Sequence, residues 1–155
     1  MRLLLLAAGT KLPRWANEGY EEYAGRLTQD YRLELREIAL GQRSGGDVRQ
    51  AIAKEGERMI AALPPSPYVV ALQVGGRALT SEQLARFLEE RARDGRSVAF
   101  CIGGPEGLSS EIDAHADFRW SLSALTLPHA LARVMVAEAL YRAVSIIKGH
   151  PYHRA

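Results

Sequence analysis

Apolar and polar positions along this 155-residue chain keep switching between two periods, and the switches mark its elements. Residues 3–8, Leu-Leu-Leu-Leu-Ala-Ala, form an unbroken apolar run closed by Gly9, the pattern of a central strand covered on both faces. Pro13 suits the first turn of a helix, in which Ala16, Tyr20, Tyr23, Ala24 and Leu27 fall on one face. Strict alternation follows, with Tyr31, Leu33 and Leu35 set between Arg32, Glu34 and Arg36, and predicts a half-exposed strand near a sheet edge. Residues 41–46 read as a glycine-rich mobile loop. Asp47 with Gln50 then caps a helix that runs to about Leu63, where Pro64, Pro65 and Pro67 stop it. A third strand is expected over 68–74, ended by Gly75 and Gly76. Thr80 with Gln83 caps the next helix, Asp94-Gly95 turns into a fourth strand over 97–102, and a short fifth strand covers 118–122. A final helix spans about 129–148. Strand and helix alternate throughout without linker or repeat, which predicts one α/β domain over 1–155 with a mainly parallel sheet and helices on both faces.

Composition narrows this picture a little. Hydrophobic residues at 47% and charged residues at 25% are globular values and exclude a disordered or fibrous chain. No apolar run approaches the roughly 18 to 20 residues of a spanning helix. The leucine-rich start is too short for an export signal, and Lys11, Pro13 and Arg14 follow at once. The single cysteine, Cys101, cannot form an intrachain disulfide, so a reducing, cytoplasmic setting is expected, with no membrane partner. Net charge is +2 but uneven: residues 119–155 carry +4 and residues 1–118 carry −2. A basic end on a mildly acidic body suits an anionic partner such as nucleic acid.

The chain lacks the phosphate-cradling loop of the P-loop proteins, the dinucleotide-binding glycine pattern and a nucleophile elbow. His150 and His153 have no further ligands nearby to complete a metal shell, so no metal is expected. Two segments remain. One is Gly103-Gly104-Pro105-Glu106-Gly107-Leu108-Ser109, directly after a buried strand, which either lets backbone approach a ligand or simply makes a tight turn. The other is Ser121 through His129, alternating small polar and aliphatic residues without charge, a surface suited to a neutral heteroaromatic ring or to a plain connection. In open parallel sheets ligands bind beyond the carboxyl ends of strands, where both segments lie. The final helix is apolar nearly all round and so needs cover nearly all round, which predicts a second subunit.

These segments together resemble the RlmH family of SPOUT-class bacterial methyltransferases. The resemblance rests on the glycine loop, the run from Ser121 to His129 and the ending Pro151-Tyr152-His153-Arg154. The start Leu6-Ala7-Ala8-Gly9-Thr10, the stretch Lys54-Glu55-Gly56-Glu57 and Arg133 with Tyr141-Arg142-Ala143 extend it over the whole chain. It implies a C-terminal trefoil knot, which periodicity cannot reveal and which folds generally avoid. It also implies a homodimer, S-adenosylmethionine as methyl donor, and N3 of a pseudouridine in 23S ribosomal RNA as acceptor, with the assembled 70S ribosome as the expected substrate. Carried over by position, cofactor contacts fall on Leu72, Gly103, Leu122, Ser123, Ala124, Leu125, Thr126 and Leu127. Gln73 departs from the acidic residue expected in many relatives. His129 is the candidate general base, and Arg142, Tyr152, His153 and Arg154 are candidate donors or phosphate clamps. Alternatives kept open are a SPOUT methyltransferase acting on another RNA such as tRNA, and a non-catalytic domain binding RNA or a nucleotide.

Overall fold

The structure, a computed structural model, describes residues 1–154, apart from the side chains of Gln29 and His153. The leucine run forms β1 (Arg2–Ala8), with Leu3 to Leu6 wholly buried. After it come α1 (Arg14–Ala24), β2 (Arg32–Ile38), α2 (Val48–Ala62), β3 (Tyr68–Ala78) and α3 (Ser81–Asp94). The chain continues through β4 (Val98–Ile102), α4 (Ser110–Ala114), β5 (Phe118–Ser121) and α5 (His129–Lys148), and ends in a 3-10 turn, Pro151–Arg154. The strands lie in the order β2-β1-β4-β3-β5 and every pairing is parallel.

Alternation along β1 divides the core in two. Leu3, Leu5 and Ala7 join Val70, Phe100 and Trp120 under α1, α3 and α5; Leu4, Leu6 and Ala8 join Val69, Ala99 and Cys101 under α2 and α4. Each fully buried leucine contributes roughly 1.5–3 kcal/mol through the area removed from water. Both faces are therefore covered, as the unbroken apolar run requires. β2 is an edge strand, as its alternating pattern indicates.

The caps decide where helices start. Thr80 accepts from the Gln83 backbone N–H while the Gln83 side chain accepts from Thr80, a reciprocal box, and Gly95 closes α3 with φ 70°. Asp47 caps α2, but its carboxylate accepts from Arg49 N–H at 3.0 Å, one residue before Gln50.

Some expectations need correction: α1 ends at Ala24, so Leu27 lies beyond it, and β4 starts at Val98, one residue late. β3 does not stop at Gly75 and Gly76 but continues to Ala78, with Trp120 of β5 opposite both Leu72 and Arg77. Residues 73–76 thus form an irregularity inside the strand, and Gly76 makes it possible: a Cβ there would lie 2.8 Å from the Arg119 backbone. β5 ends at Ser121, one residue early. The short α4 has too few residues to show a period; Ser109 starts it by accepting from Ile112 N–H at 3.1 Å.

Candidate active site

The irregular middle of β3, the carboxyl ends of β4 and β5 and the first turn of α5 enclose an open cleft of about 600 Å³. Its walls are mostly apolar, among them Leu72, Ile102, Trp120, Leu122 and Leu127. Among the lining residues His129 alone carries an ionisable side chain. Such a surface suits a flat, neutral ring held by backbone groups.

Of the residues expected to contact a cofactor, Leu72, Gly103, Leu122, Ser123, Leu125, Thr126 and Leu127 all line this cleft. Ala124 is exposed within the same run and does not line it. Two local hydrogen bonds shape the run: Ser121 Oγ donates to the Ser123 carbonyl, and Ser123 Oγ accepts from Leu125 N–H, both at 2.9 Å. The Leu125 side chain is left 73% exposed at the rim. Across the cleft the glycine loop closes on itself, with Gly107 N–H donating to the Gly104 carbonyl at 3.0 Å. A Cβ on Gly103 would lie 2.2 Å from the Gly107 carbonyl carbon. The loop's own backbone, therefore, is what demands glycine here. On its outer side the loop is tied by Glu106 to Arg43, whose guanidinium also pairs with the buried Glu55. That pairing depresses the Glu106 carboxylate below its ordinary range.

His129 stands at the cleft floor with both ring nitrogens engaged. Arg133, one turn further along α5, is wholly buried and donates through Nε to His129 Nε2 at 2.9 Å. The same guanidinium donates to Glu37 Oε2 at 2.7 Å and to the Gly9 carbonyl at 2.6 Å. His129 Nδ1 lies 2.8 Å from the Gly103 carbonyl oxygen. An arginine can only donate, so Nε2 must accept and Nδ1 must carry the proton. Burial, and next to it the Arg133 charge, hold the imidazole below its ordinary pKa, against the pull of Gly103 and Glu37. The ring is neutral, and its one lone pair faces a cation. A general base needs that lone pair, so the geometry speaks against the role expected of His129.

A family model described as "Predicted SPOUT methyltransferase" matches residues 1–153. The chain belongs to the SPOUT methyltransferase family. Curated relatives agree. A protein of Stenotrophomonas maltophilia named "Ribosomal RNA large subunit methyltransferase H" is 53% identical over 156 residues, covering all of both chains. Proteins of the same name from Pseudomonas aeruginosa and Azotobacter vinelandii are 49% and 48% identical over 155 residues, covering 99% of this chain and all of theirs. The resemblance drawn from the glycine loop, the uncharged run and the ending is borne out.

The other residues that the SPOUT resemblance singled out lie at the opposite end of α5. Arg142 forms an ion pair with Glu138 at 2.8 Å and sits over the Tyr152 ring at 4.9 Å. Tyr152 donates its hydroxyl to the same Glu138 oxygen at 2.8 Å and packs against Tyr141 and Tyr23. Arg154 is exposed; the His153 side chain lies outside the described residues. Of the described side chains, those of Arg142, Tyr152 and Arg154 do not line the cleft. Glu138, which Arg142 and Tyr152 both hold, and Tyr23 belong to the walls of a second cavity of about 270 Å³, with Val134, Met135 and Ala139. Among the described residues no group of three or more His, Cys, Asp or Glu could hold a metal ion, and no helix is long and apolar enough to cross a membrane.

Sequence reading gave Arg133 no role. Its signal was present as a cation four residues after His129 among the aliphatic residues of the helix's first half, which burial would force to seek several acceptors. Gln73 reads differently in three dimensions too: it lines the cleft, and its amide donates to Asp113, which also holds Arg119. A carboxylate at 73 could not donate that bond.

Proposed function

We propose that this chain transfers the methyl group of S-adenosylmethionine to N3 of a pseudouridine in bacterial 23S ribosomal RNA, acting in the cytoplasm as a homodimer on the assembled 70S ribosome. The observation that carries the reading is the uncharged cleft beside the irregular middle of β3 and beyond the carboxyl ends of β4 and β5, walled by the glycine loop and by Leu122, Ser123, Leu125, Thr126 and Leu127. The relatives named for ribosomal RNA methylation support the substrate class. The fit to the cofactor rests on the chain itself. Leu72, Leu122 and Leu127 would offer apolar walls to an adenine ring, and backbone groups of the two loops would meet its polar edge. No lysine or arginine lines the cleft to repel a cationic sulfur.

When bound, S-adenosylmethionine supplies a methyl group on a positive sulfur that departs as a neutral thioether, so the chemistry needs neither metal nor acid. The chain's task is to align the nucleotide with that methyl, largely an orientation effect, and to accept the N3 proton or stabilise negative charge on the flanking carbonyls. Arg142, Tyr152, His153 and Arg154 are assigned to stabilise that charge as donors, or to clamp phosphate. Arg142 lies 13 residues beyond His129, about 20 Å along the helix at 1.5 Å per residue. A tail so placed serves the cleft of a partner subunit better than its own, and the half-buried face of Val134, Met135 and Ala139 is the surface on which that partner would sit. The trefoil threading of the C-terminal part belongs to the same proposal.

Calorimetry with S-adenosylmethionine, followed by methyl transfer to 70S ribosomes, isolated 50S subunits and bulk tRNA, tests the reading. We expect binding to one site per chain and a methylated pseudouridine chiefly in 70S particles. Absence of binding overturns the assigned cofactor, and methylated tRNA with unmodified ribosomes overturns the assigned substrate.

A further inference from the structure

Arg133 is among the largest side chains to be wholly buried, in a helix otherwise packed with aliphatic residues. Burying a cation is expensive, and an apolar residue of similar volume would commonly be as stable or more so. Its contacts are not scattered. Gly9 follows β1, Glu37 lies near the end of β2, and His129 passes the connection on to Gly103, which follows β4. One guanidinium thus ties together the carboxyl ends of three strands, and one branch ends on the loop that walls the cleft. A lysine also has three donors, but all on one nitrogen, so it could not reach three acceptors that are met here by three separate nitrogens of a planar fork.

We propose that Arg133 and His129 form a positioning pair for the cofactor loop. Arg133 fixes the imidazole as the neutral Nδ1–H tautomer, and that proton pins the Gly103 carbonyl so that the loop keeps its shape around a ligand. The groups facing the imidazole are Arg133 from its own helix and Glu37 from β2, while the buried Tyr20 hydroxyl of α1 lies in the field of Arg133. The nature of the ligand rests on the proposed function; the tautomer does not.

Ring nitrogen NMR of the unaltered protein reads the tautomer directly. We expect a neutral His129 with its proton on Nδ1, persisting as the pH falls through the ordinary histidine range. A proton on Nε2, or an imidazolium at neutral pH, overturns the proposal. Two variants then separate positioning from proton transfer. Asn can still offer an N–H toward the Gly103 carbonyl, whereas Leu cannot. With folding checked by thermal melts, His129→Leu should raise the KM for S-adenosylmethionine about tenfold or more with a smaller fall in kcat, and His129→Asn should recover most of that loss. Arg133→Lys should resemble His129→Leu. Collapse of kcat at unchanged KM, equal in the Asn and Leu variants, would restore the role of base and end that of positioning. If the unaltered protein fails to bind S-adenosylmethionine, the assigned cofactor falls, while the tautomer still decides the pair.

Discussion

A buried imidazole with a lowered pKa leaves a mark on stability as well as on binding. In the unfolded chain His129 regains its ordinary pKa near 6.5 and binds a proton more readily than in the fold. Its contribution to stability is therefore complete above that value and is lost as the pH falls below it toward the folded pKa. The gap in melting temperature between the unaltered protein and His129→Asn should accordingly be widest near pH 8 and narrow on acidification. Calorimetric melts across pH 5.5–8, in increments of about half a unit, read this. A second residue behaves more simply. Burial pushes the Cys101 thiol up to about 12, so a thiol reagent should leave the native protein unlabelled and modify one site after denaturation. That Gly103 and His129 would lie beside a cleft was legible, because a glycine after a buried strand and a histidine at a helix start carry their own signals. Their roles were not. The need for glycine at 103 comes from Gly107, and the histidine's lone pair is claimed by Arg133; both facts depend on neighbours that the sequence does not place.

Among the elements, the strands and helices followed from period and caps almost residue by residue, α5 most closely. What escaped was local geometry without a period: the five-residue α4 and the passage of β3 through two glycines. The tail is more definite than a chain end commonly is, because Tyr152 is held by Glu138 and by two aromatic rings. Removing the hydroxyl with Tyr152→Phe should cost about 1 kcal/mol in chemical denaturation, the usual net worth of such a bond. Deleting residues 149–155 should leave calorimetric binding of S-adenosylmethionine nearly intact and abolish methyl transfer. Gly103→Ala should do the reverse of the deletion's first effect, losing cofactor affinity as the loop is forced apart, with the rest of the fold retained by circular dichroism. Mixing the two defective chains should restore some activity if a tail serves its partner's cleft.

For the whole molecule, the pattern of α5 pointed to a partner, but it overstated how much of the helix needs one. Leu140 and Val144 are buried within a single chain by α1, α3 and the sheet, so a charge at either would break the core whatever the assembly. Met135 and Ala139, half-buried at the second cavity, are the informative positions. Met135→Glu should give a folded monomer by light scattering, and a dimer unaffected by it would move the interface elsewhere. The threading proposed for the C-terminal part could not have been legible, because the order in which a chain passes through its own loops leaves no trace in hydrophobic spacing. Charge pointed to an anionic partner, and the structure shows how little of that charge is left unpaired. Of the five cations after position 118, Arg119, Arg133, Arg142 and Lys148 are each paired with a carboxylate of the same chain, from Asp113, Glu37, Glu138 and Asp30. Cations already neutralised at home release few small ions from a nucleic acid on binding. Each phosphate contact steepens the log–log dependence of RNA affinity on salt by roughly 0.7 to 0.9, so the slope for this enzyme on its ribosomal target should be shallow. Its hold on the particle would then tolerate ionic strengths that strip off proteins bound chiefly by charge, and fit of shape would have to supply what counterion release does not.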